Sequence, residues 1–519
     1  MIRAWVLSGI REVLASRQCG EVSVPVSVPP DTDLGDLAVP LGFALAKTLR
    51  LSPPQALAAV LPDLQRFFGD GLVFSIHGGF LNIRFSDAFL GKEGLAFSGQ
   101  IQAQKRPSVL LEYVSANPTG PLHIGHGRWA VMGSIIAQLL RETGHQVQTE
   151  FYINDAGKQI DKLYQSVGAL KAGTAIPEDG YHGAYVHELA LLDQDPVLAN
   201  LDSQKKDLAA IGVSFDRWYS EKTLHMSGAI ESAIAKLSEK KVLYELDDAL
   251  WFRSTDFGDD KDRVLRKADG TLTYFAVDVA YHVDKVERGF EQLVNLWGAD
   301  HHGYIARVRA ALHAMYGETC AVPPAFRVLL GQLVSLFRNG EPVRMSKRTG
   351  EMVSLAEVIE EVGSDAVRYY LAAKGFDSAV DFDLAQAKEK SSENPVFYVQ
   401  YAHARLCGVL RKAEGLGHVL PNSEKSPLLF EGELHSKERQ LIVHMAQYGD
   451  VLTESALLFA PHKFVQYTFD LARASHHMYE ACPILGHPMA AQRLVLVTKT
   501  RDVLAQALRV LGISAPVAM

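Results

Sequence analysis

The sequence predicts a multidomain α/β chain: a doubly wound core between a small N-terminal α+β unit and a C-terminal all-α bundle. Three observations predict it. Apolar runs at 109–114, 147–153, 293–297 and 327–336 read as buried strands separated by helical patterns. A Gly/Pro-rich turn, Pro118-Thr119-Gly120-Pro121-Leu122-His123-Ile124-Gly125-His126-Gly127, joins the first run to a helical pattern over Ala130–Leu140. Beyond residue 385 strand signals stop and helical periodicity takes over.

With 519 residues the chain has room for roughly two to four domains. The net charge of −8 argues against a globally basic nucleic-acid surface, so any RNA contact must be a local patch. Cys19, Cys320, Cys407 and Cys482 are far apart, which fits reduced cytoplasmic thiols and neither a disulfide frame nor a zinc ribbon. Arg3, Arg11, Glu12 and Arg17 break any leader pattern, and no apolar run is long enough for a membrane span. A cytoplasmic location, without membrane contact, is the expectation.

Residues 1–104 form the first unit. Trp5, Val6, Ile10, Val13 and Leu14 mark one helical face, and Val22 to Val28 alternates as a strand. Gly35-Asp36-Leu37-Ala38 is expected to open a helix through Lys47, and Ser52-Pro53-Pro54 another. Phe80–Phe85 alternates as a strand, and Gln102, Gln104, Lys105 and Arg106 read as a polar linker. A structural appendage and a binding module both fit this unit.

Residues 105–384 form the core. A turn ending at a helix start aims free N–H groups at one point, where phosphate is the natural guest. His123 and His126 are expected to add donors there, and Gly125 and Gly127 to leave space for a base or ribose. The stretch near 165–265 exceeds one crossover and reads as an insertion, with a hairpin around Leu250-Trp251-Phe252-Arg253. Asn154 and Asp155 end the second strand, as either ligand groups or helix caps. Tyr274, Asp278 and Tyr281 share a helical face, and a carboxylate on an apolar helix needs a partner that a cationic substrate could supply. Gly298, Asp300, His301 and His302 follow another strand and suit a ribose or adenine edge; adjacent side chains diverge too far to favour a metal. Val334–Phe337 and Glu341–Val343 flank Asn339-Gly340, a hairpin signal. The loop 344–350 follows, with Arg344, Lys347 and Arg348 beside Met345 and Ser346, and could close on a polyphosphate.

Residues 385–519 form the bundle. Asn394 to Arg405 interleaves Tyr398 and Tyr401 with His403 and Arg405, and further cations follow on later helices. Aromatics with cations suit single-stranded RNA; a structural or dimerisation bundle is the plainer alternative. Residues 413–433 read as a loop.

These pieces together resemble the arginyl-tRNA synthetases of bacterial type, a class I aminoacyl-tRNA synthetase family. His123-Ile124-Gly125-His126 resembles the HIGH signature and Arg344-Met345-Ser346-Lys347-Arg348 a variant KMSKS loop. Ser115–His123, Tyr152–Gly157, Trp297–Tyr304 and Asn394–Arg405 resemble segments specific to the arginyl family, and the match runs in order along nearly the whole chain.

The resemblance implies a Rossmann-like class I synthetase core with an insertion, a tRNA-contacting N-terminal domain and a helical anticodon-binding domain. It implies ATP-dependent ligation of L-arginine to tRNA(Arg) through arginyl-adenylate, with Mg2+ accompanying ATP and no zinc. His123, His126 and Lys347 would be catalytic. ATP would be held by these with Gly125, Gly298, Asp300, His301, Met345 and Ser346. Arginine would meet Glu112, Ser115, Asn117, His123, Tyr274 and Asp278; tRNA would meet Tyr398, Tyr401, Arg405 and Met519. A monomer is expected. Arg344 and Arg348 depart from the KMSKS pattern, and the tail Ala515–Met519 lacks the acidic–basic pair usual in the family. The alternative is a catalytically impaired paralogue acting as a tRNA-binding or regulatory protein.

Overall fold

The computed structural model describes residues 1–19, 23–29, 31–101, 105–299, 302–317, 325–343, 353–422 and 429–519. In the N-terminal unit, helix Ile2–Ser16 and helix Pro53–Phe68 cover a sheet of β1 (Leu37–Val39), β2 (Leu72–His77) and β3 (Phe80–Phe85), ordered β1-β3-β2. Helix Pro53–Phe68 starts as expected, with Ser52 and Gln55 forming a capping box.

Two expectations fail here. Among the described residues of 22–28, only Ser27 pairs, as an isolated bridge to Ala38. Pro25 has no N–H to give a ladder. Gly35–Ala38 does not open a helix: Leu37 to Val39 pair antiparallel with β3, and the helix runs Leu41–Leu49, behind Pro40. Strand β2, whose Leu72 and Phe74 face the core, is an element the periodicity did not single out.

The central sheet is built from β4 (Val109–Glu112), β5 (Val147–Ile153), β6 (Arg217–Ser220), β10 (Gln292–Gly298) and β11 (Ala325–Gly331). Its order is β11-β10-β4-β5-β6, and every pairing is parallel. From β4 the chain moves outward through β5 and β6, then returns to the other side of β4 as β10. The switch point therefore falls at the carboxyl ends of β4 and β10, where such sheets bind ligands.

The expected insertion needs correcting, because β6 lies inside 165–265 and belongs to the central sheet. The hairpin is present as β7 (Leu243–Leu246) and β8 (Ala249–Phe252), extended by β9 (Arg263–Arg266). The run 327–336 is also two strands. It breaks after Gly331, and β12 (Val334–Arg338) joins β13 (Glu341–Pro342) and β14 (Val380–Asp383) in a separate sheet. Arg128, fully buried, fixes the break by donating to the Gln332 carbonyl at 2.8 Å and the Gly375 carbonyl at 2.7 Å.

The signature helix, Ile124–Glu142, lies directly over β4. Gly133 makes this approach possible: a Cβ there would meet the ring of the buried Tyr113 at 2.3 Å. Helix Pro395–Gly415 opens the bundle, capped by Asn394. The N-terminal unit packs on the bundle through Arg439, which is paired with Asp36 and, at 2.9 Å, with Asp87. Among the described residues no helix is long and apolar enough to cross a membrane.

Gly133→Ala should overpack the helix–strand contact and destabilise the protein by about 1–3 kcal/mol, read as a lowered Tm. An unchanged Tm would mean that Tyr113 can move aside.

Candidate active site

The turn from β4 into the signature helix is held from two sides. Within it, His123 is the N-cap. Its Nδ1 accepts from the Gly125 N–H at 3.1 Å and the His126 N–H at 3.4 Å, while His126 Nδ1 accepts from the His123 N–H at 3.2 Å. The rings stack with centroids 3.6 Å apart. Each neutral ring thus carries its proton on Nε2, so the imidazoles satisfy helix-start donors through Nδ1 as well as offering donors of their own. The glycines also make room within the protein itself. A Cβ on Gly125 would meet the His123 ring at 2.9 Å, and one on Gly127 would meet Leu355 at 2.7 Å. Both permit packing within the protein.

Around the turn, side chains from the 165–265 stretch hold its backbone. Gln204 donates to the carbonyls of Asn117 and Gly120 at 3.0 and 2.9 Å, Asn200 to that of Pro118 at 3.1 Å, and the Tyr185 hydroxyl to that of Thr119 at 3.0 Å. Sequence reasoning missed all three, since nothing local marks them. On the far side the Leu355 N–H donates to the Leu122 carbonyl at 2.7 Å and Ser354 bridges His123. The chain emerging from the second signature is thereby tied to the first.

Glu112 ends β4 and is buried. It is paired with Lys285 and accepts from the Ser115 hydroxyl at 2.9 Å. Val114 and Ser115 have φ of 69° and 43°, a strained left-handed pair that turns the chain out of the sheet. Asn117 donates to Gln159 at 2.6 Å.

Helix Tyr274–Glu287 carries the second wall. Tyr274 is 59% exposed at its first turn, and Asp278 is half-buried. Tyr281 departs from the expected face: it is buried, and its hydroxyl donates to Glu150 at 2.7 Å. Glu150 also takes a bidentate contact from Arg288 at 2.6 and 2.9 Å. Burial alone would raise the Glu150 carboxyl, but the hydrogen bonds and charges of Arg288, with Lys285 and Tyr281, hold it below the usual carboxylate range.

Asp278 goes the other way. Burial, then the negative charges of Glu221 and Glu112, push its carboxyl up to about 7. Among the described residues its carboxylate has no hydrogen-bond partner. Glu221 is a buried residue that sequence reasoning missed. It accepts from the Tyr152 hydroxyl at 2.9 Å, and burial raises its carboxyl too. The only local signal was an acid directly after a strand. Asp155 serves as a cap, accepting from Ser220 Oγ at 2.6 Å and the Lys222 N–H at 3.1 Å.

Gly298 ends β10 opposite Gly331 of β11. Asp300, His301, Met345, Ser346 and Lys347 lie outside the described residues. Among the described residues no three His, Cys, Asp or Glu side chains gather as a metal site. In the bundle, the Arg405 guanidinium lies 4.6 Å over Tyr401 and 4.9 Å over Tyr479, and contacts His476 at 3.1 Å. Tyr398 packs on His476 at 4.5 Å. The tail is tied down by Ser514 to Asp365 at 3.0 Å and by His403 to the Pro516 carbonyl at 2.9 Å, leaving Met519 exposed.

The class I tRNA synthetase (R) catalytic domain family matches residues 90–174 and 203–398, and the DALR anticodon binding domain family matches residues 399–519. An arginine--tRNA ligase from Nitratidesulfovibrio vulgaris is 41% identical over 95% of this chain and 95% of its own length. One from Anoxybacillus flavithermus is 40% identical over 97% of this chain and 96% of its own. Thermus thermophilus arginyl-tRNA synthetase superimposes with a TM-score of 0.79 over all of both chains at 24% identity, a likeness of fold. With both family models matched in order along the chain and relatives about 40% identical over nearly its whole length, the chain belongs to the arginine--tRNA ligase family of class I aminoacyl-tRNA synthetases.

Proposed function

We propose that this chain ligates L-arginine to tRNA(Arg) in two steps at the carboxyl ends of β4 and β10. The observation that carries the reading is Asp278: a carboxylate without a hydrogen-bond partner among the described residues, close enough to Glu112 and Glu221 for their charges to raise it. The charges of Arg307 and Lys285 lower it without outweighing these effects, and Lys285 is paired with Glu112, so the pocket still favours a further cation. A guanidinium supplies one that stays charged at every working pH and presents a planar fork of donors. Tyr274, at the same helix start, would close over it, and Ser115 and Asn117 would meet the α-amino and carboxylate end.

The arginine carboxylate then attacks the α-phosphate of ATP, forming the acyl–phosphate bond of arginyl-adenylate as the bond to pyrophosphate breaks. The signature helix supports this step with its positive N-terminal end and the Nε2–H groups of His123 and His126, which hydrogen-bond phosphate oxygens. Gly125, Gly298, Asp300, His301, Met345 and Ser346 would contact ATP, and Lys347 would neutralise the departing pyrophosphate. Mg2+ would accompany ATP and offset the charge of its phosphates. In the second step the terminal ribose hydroxyl of tRNA attacks the adenylate carbonyl, displacing AMP. Residues 1–104 and 385–519 would hold the tRNA. Tyr398, Tyr401 and Arg405 present a face suited to unpaired bases, and the exposed Met519 would add to the RNA contact. Separated cysteines suit a cytoplasmic enzyme, which we take to act as a monomer.

Arginine-dependent exchange of pyrophosphate into ATP, with tRNA present, tests the reading; exchange with lysine in place of arginine would overturn it. Asp278→Asn should reduce kcat/KM for arginine by roughly 10²-fold or more while ATP affinity changes little, because a buried charged contact is lost. The pH dependence has a definite sign. A guanidinium binds the ionised form of Asp278, so arginine KM should rise as pH falls through about 7, and Asp278→Asn should flatten that rise. Arg405→Ala should raise KM for tRNA by about tenfold and leave arginine KM alone; unchanged tRNA affinity would remove this face from the RNA contact.

A further inference from the structure

Lys285 lies two turns beyond Asp278 on the same helix, and its side chain is 0% exposed. A buried ammonium is costly unless matched on every side. Here it is matched by the Glu112 carboxylate, by Asn295 Oδ1 at 2.9 Å and by the face of Tyr281 at 4.3 Å.

These partners fix the direction of every hydrogen bond that follows. An ammonium only donates, so Asn295 Oδ1 accepts and its amide N–H points to His282 Nε2, at 3.0 Å. That nitrogen must accept, which puts the ring proton on Nδ1. From there it is donated to the Asp278 carbonyl oxygen at 2.8 Å. Burial and the charge of Lys285 hold His282 down at about 3, so the ring stays neutral. At the other end the Ser115 hydroxyl donates to Glu112, and Ser115 Oγ accepts from the Tyr152 N–H at 3.1 Å. One directed chain thus joins the turn after β4 to the backbone of Asp278.

We infer that Lys285 is a positioning residue for arginine selection: an internal counter-ion that holds the Glu112 carboxylate in one orientation, leaving Asp278 as the carboxylate that receives the guanidinium. This rests on the arginine reading above. Buried ion pairs add little net stability. Their value here is geometric, since a guanidinium discriminates by where its acceptors stand. The arrangement also separates the roles of the acids. Glu112 is already neutralised and shapes the pocket, while Asp278 is not and supplies the charge.

A double-mutant cycle on aminoacylation by the full chain tests this. Lys285→Met should raise arginine KM by about tenfold or more with ATP KM within about twofold, and in a Glu112→Gln background the same change should move arginine KM by less than about twofold. Equal shifts in the two backgrounds would overturn the inference. If Lys285→Met alone does not fold, Lys285→Arg takes its place in the cycle and is read by the same criterion, since it keeps a buried cation but moves its donors. A wild-type chain that does not charge tRNA with arginine overturns the reading of the site. Arginine charging with additive variants overturns only the role of Lys285.

Discussion

Carboxylates crowded into the interior side by side on two adjacent parallel strands are the constraint on which the rest depends. Glu112 ends β4 and Glu150 lies beside it in β5, in register. Each has its own cation from a single element, the helix Tyr274–Glu287 and the residue that follows it: Lys285 for Glu112 and Arg288 for Glu150. The helix is therefore placed by charge as well as by its apolar face. Among the described residues Asp278 then accepts no hydrogen bond through its carboxylate, and its raised carboxyl follows from that arrangement. Such a carboxylate is favoured once a cation comes beside it.

The signature helix is the second organiser. Its N-terminus is closed by two histidines that cap one another, its middle lies on Tyr113 through Gly133, and Arg128 holds the point where β11 gives way to β12. Arg368, buried farther along the chain, donates to Ser134 of this helix at 3.1 Å, to the Ile211 carbonyl at 2.7 Å and to the Leu511 carbonyl at 2.8 Å. Core, inserted segment and bundle thus meet on one helix. A small displacement of the bundle's last helix reaches Ser134 through a single guanidinium.

Much of this was legible in the sequence because it is written locally. Apolar runs, capping residues and turn chemistry marked β4, β5 and β10 of the central sheet, the Asn339-Gly340 hairpin and the helix behind Asn394. What was not legible depends on distant partners. Gly35–Ala38 has helix-compatible residues and becomes a strand because β3 lies beside it. β6 is four residues long and indistinct within a helical stretch. Lys285 reads as one more charge on an amphipathic helix until Glu112, far back in the chain, is brought against it. Tyr281 was rightly placed on the same helix as Asp278 and wrongly faced, because Glu150 draws its hydroxyl inward. The loop 344–350 carries an unmistakable composition, but composition says nothing of its position.

The contact between Arg439 and the pair Asp36 and Asp87 bears on how the molecule is made. The N-terminal unit leaves the ribosome before the bundle, and its carboxylate at Asp36, raised by burial, is relieved within the unit only by the Phe85 N–H and the charge of Arg84; its paired cation, Arg439, is synthesised 403 positions later. At about 5–20 residues per second that interval is roughly 20–80 s, during which the first domain must persist with an unfinished face. The buried residues of this unit run without a break into those of the bundle, so the late arrival of Arg439 means that closure of the first domain on the last cannot precede synthesis of the bundle.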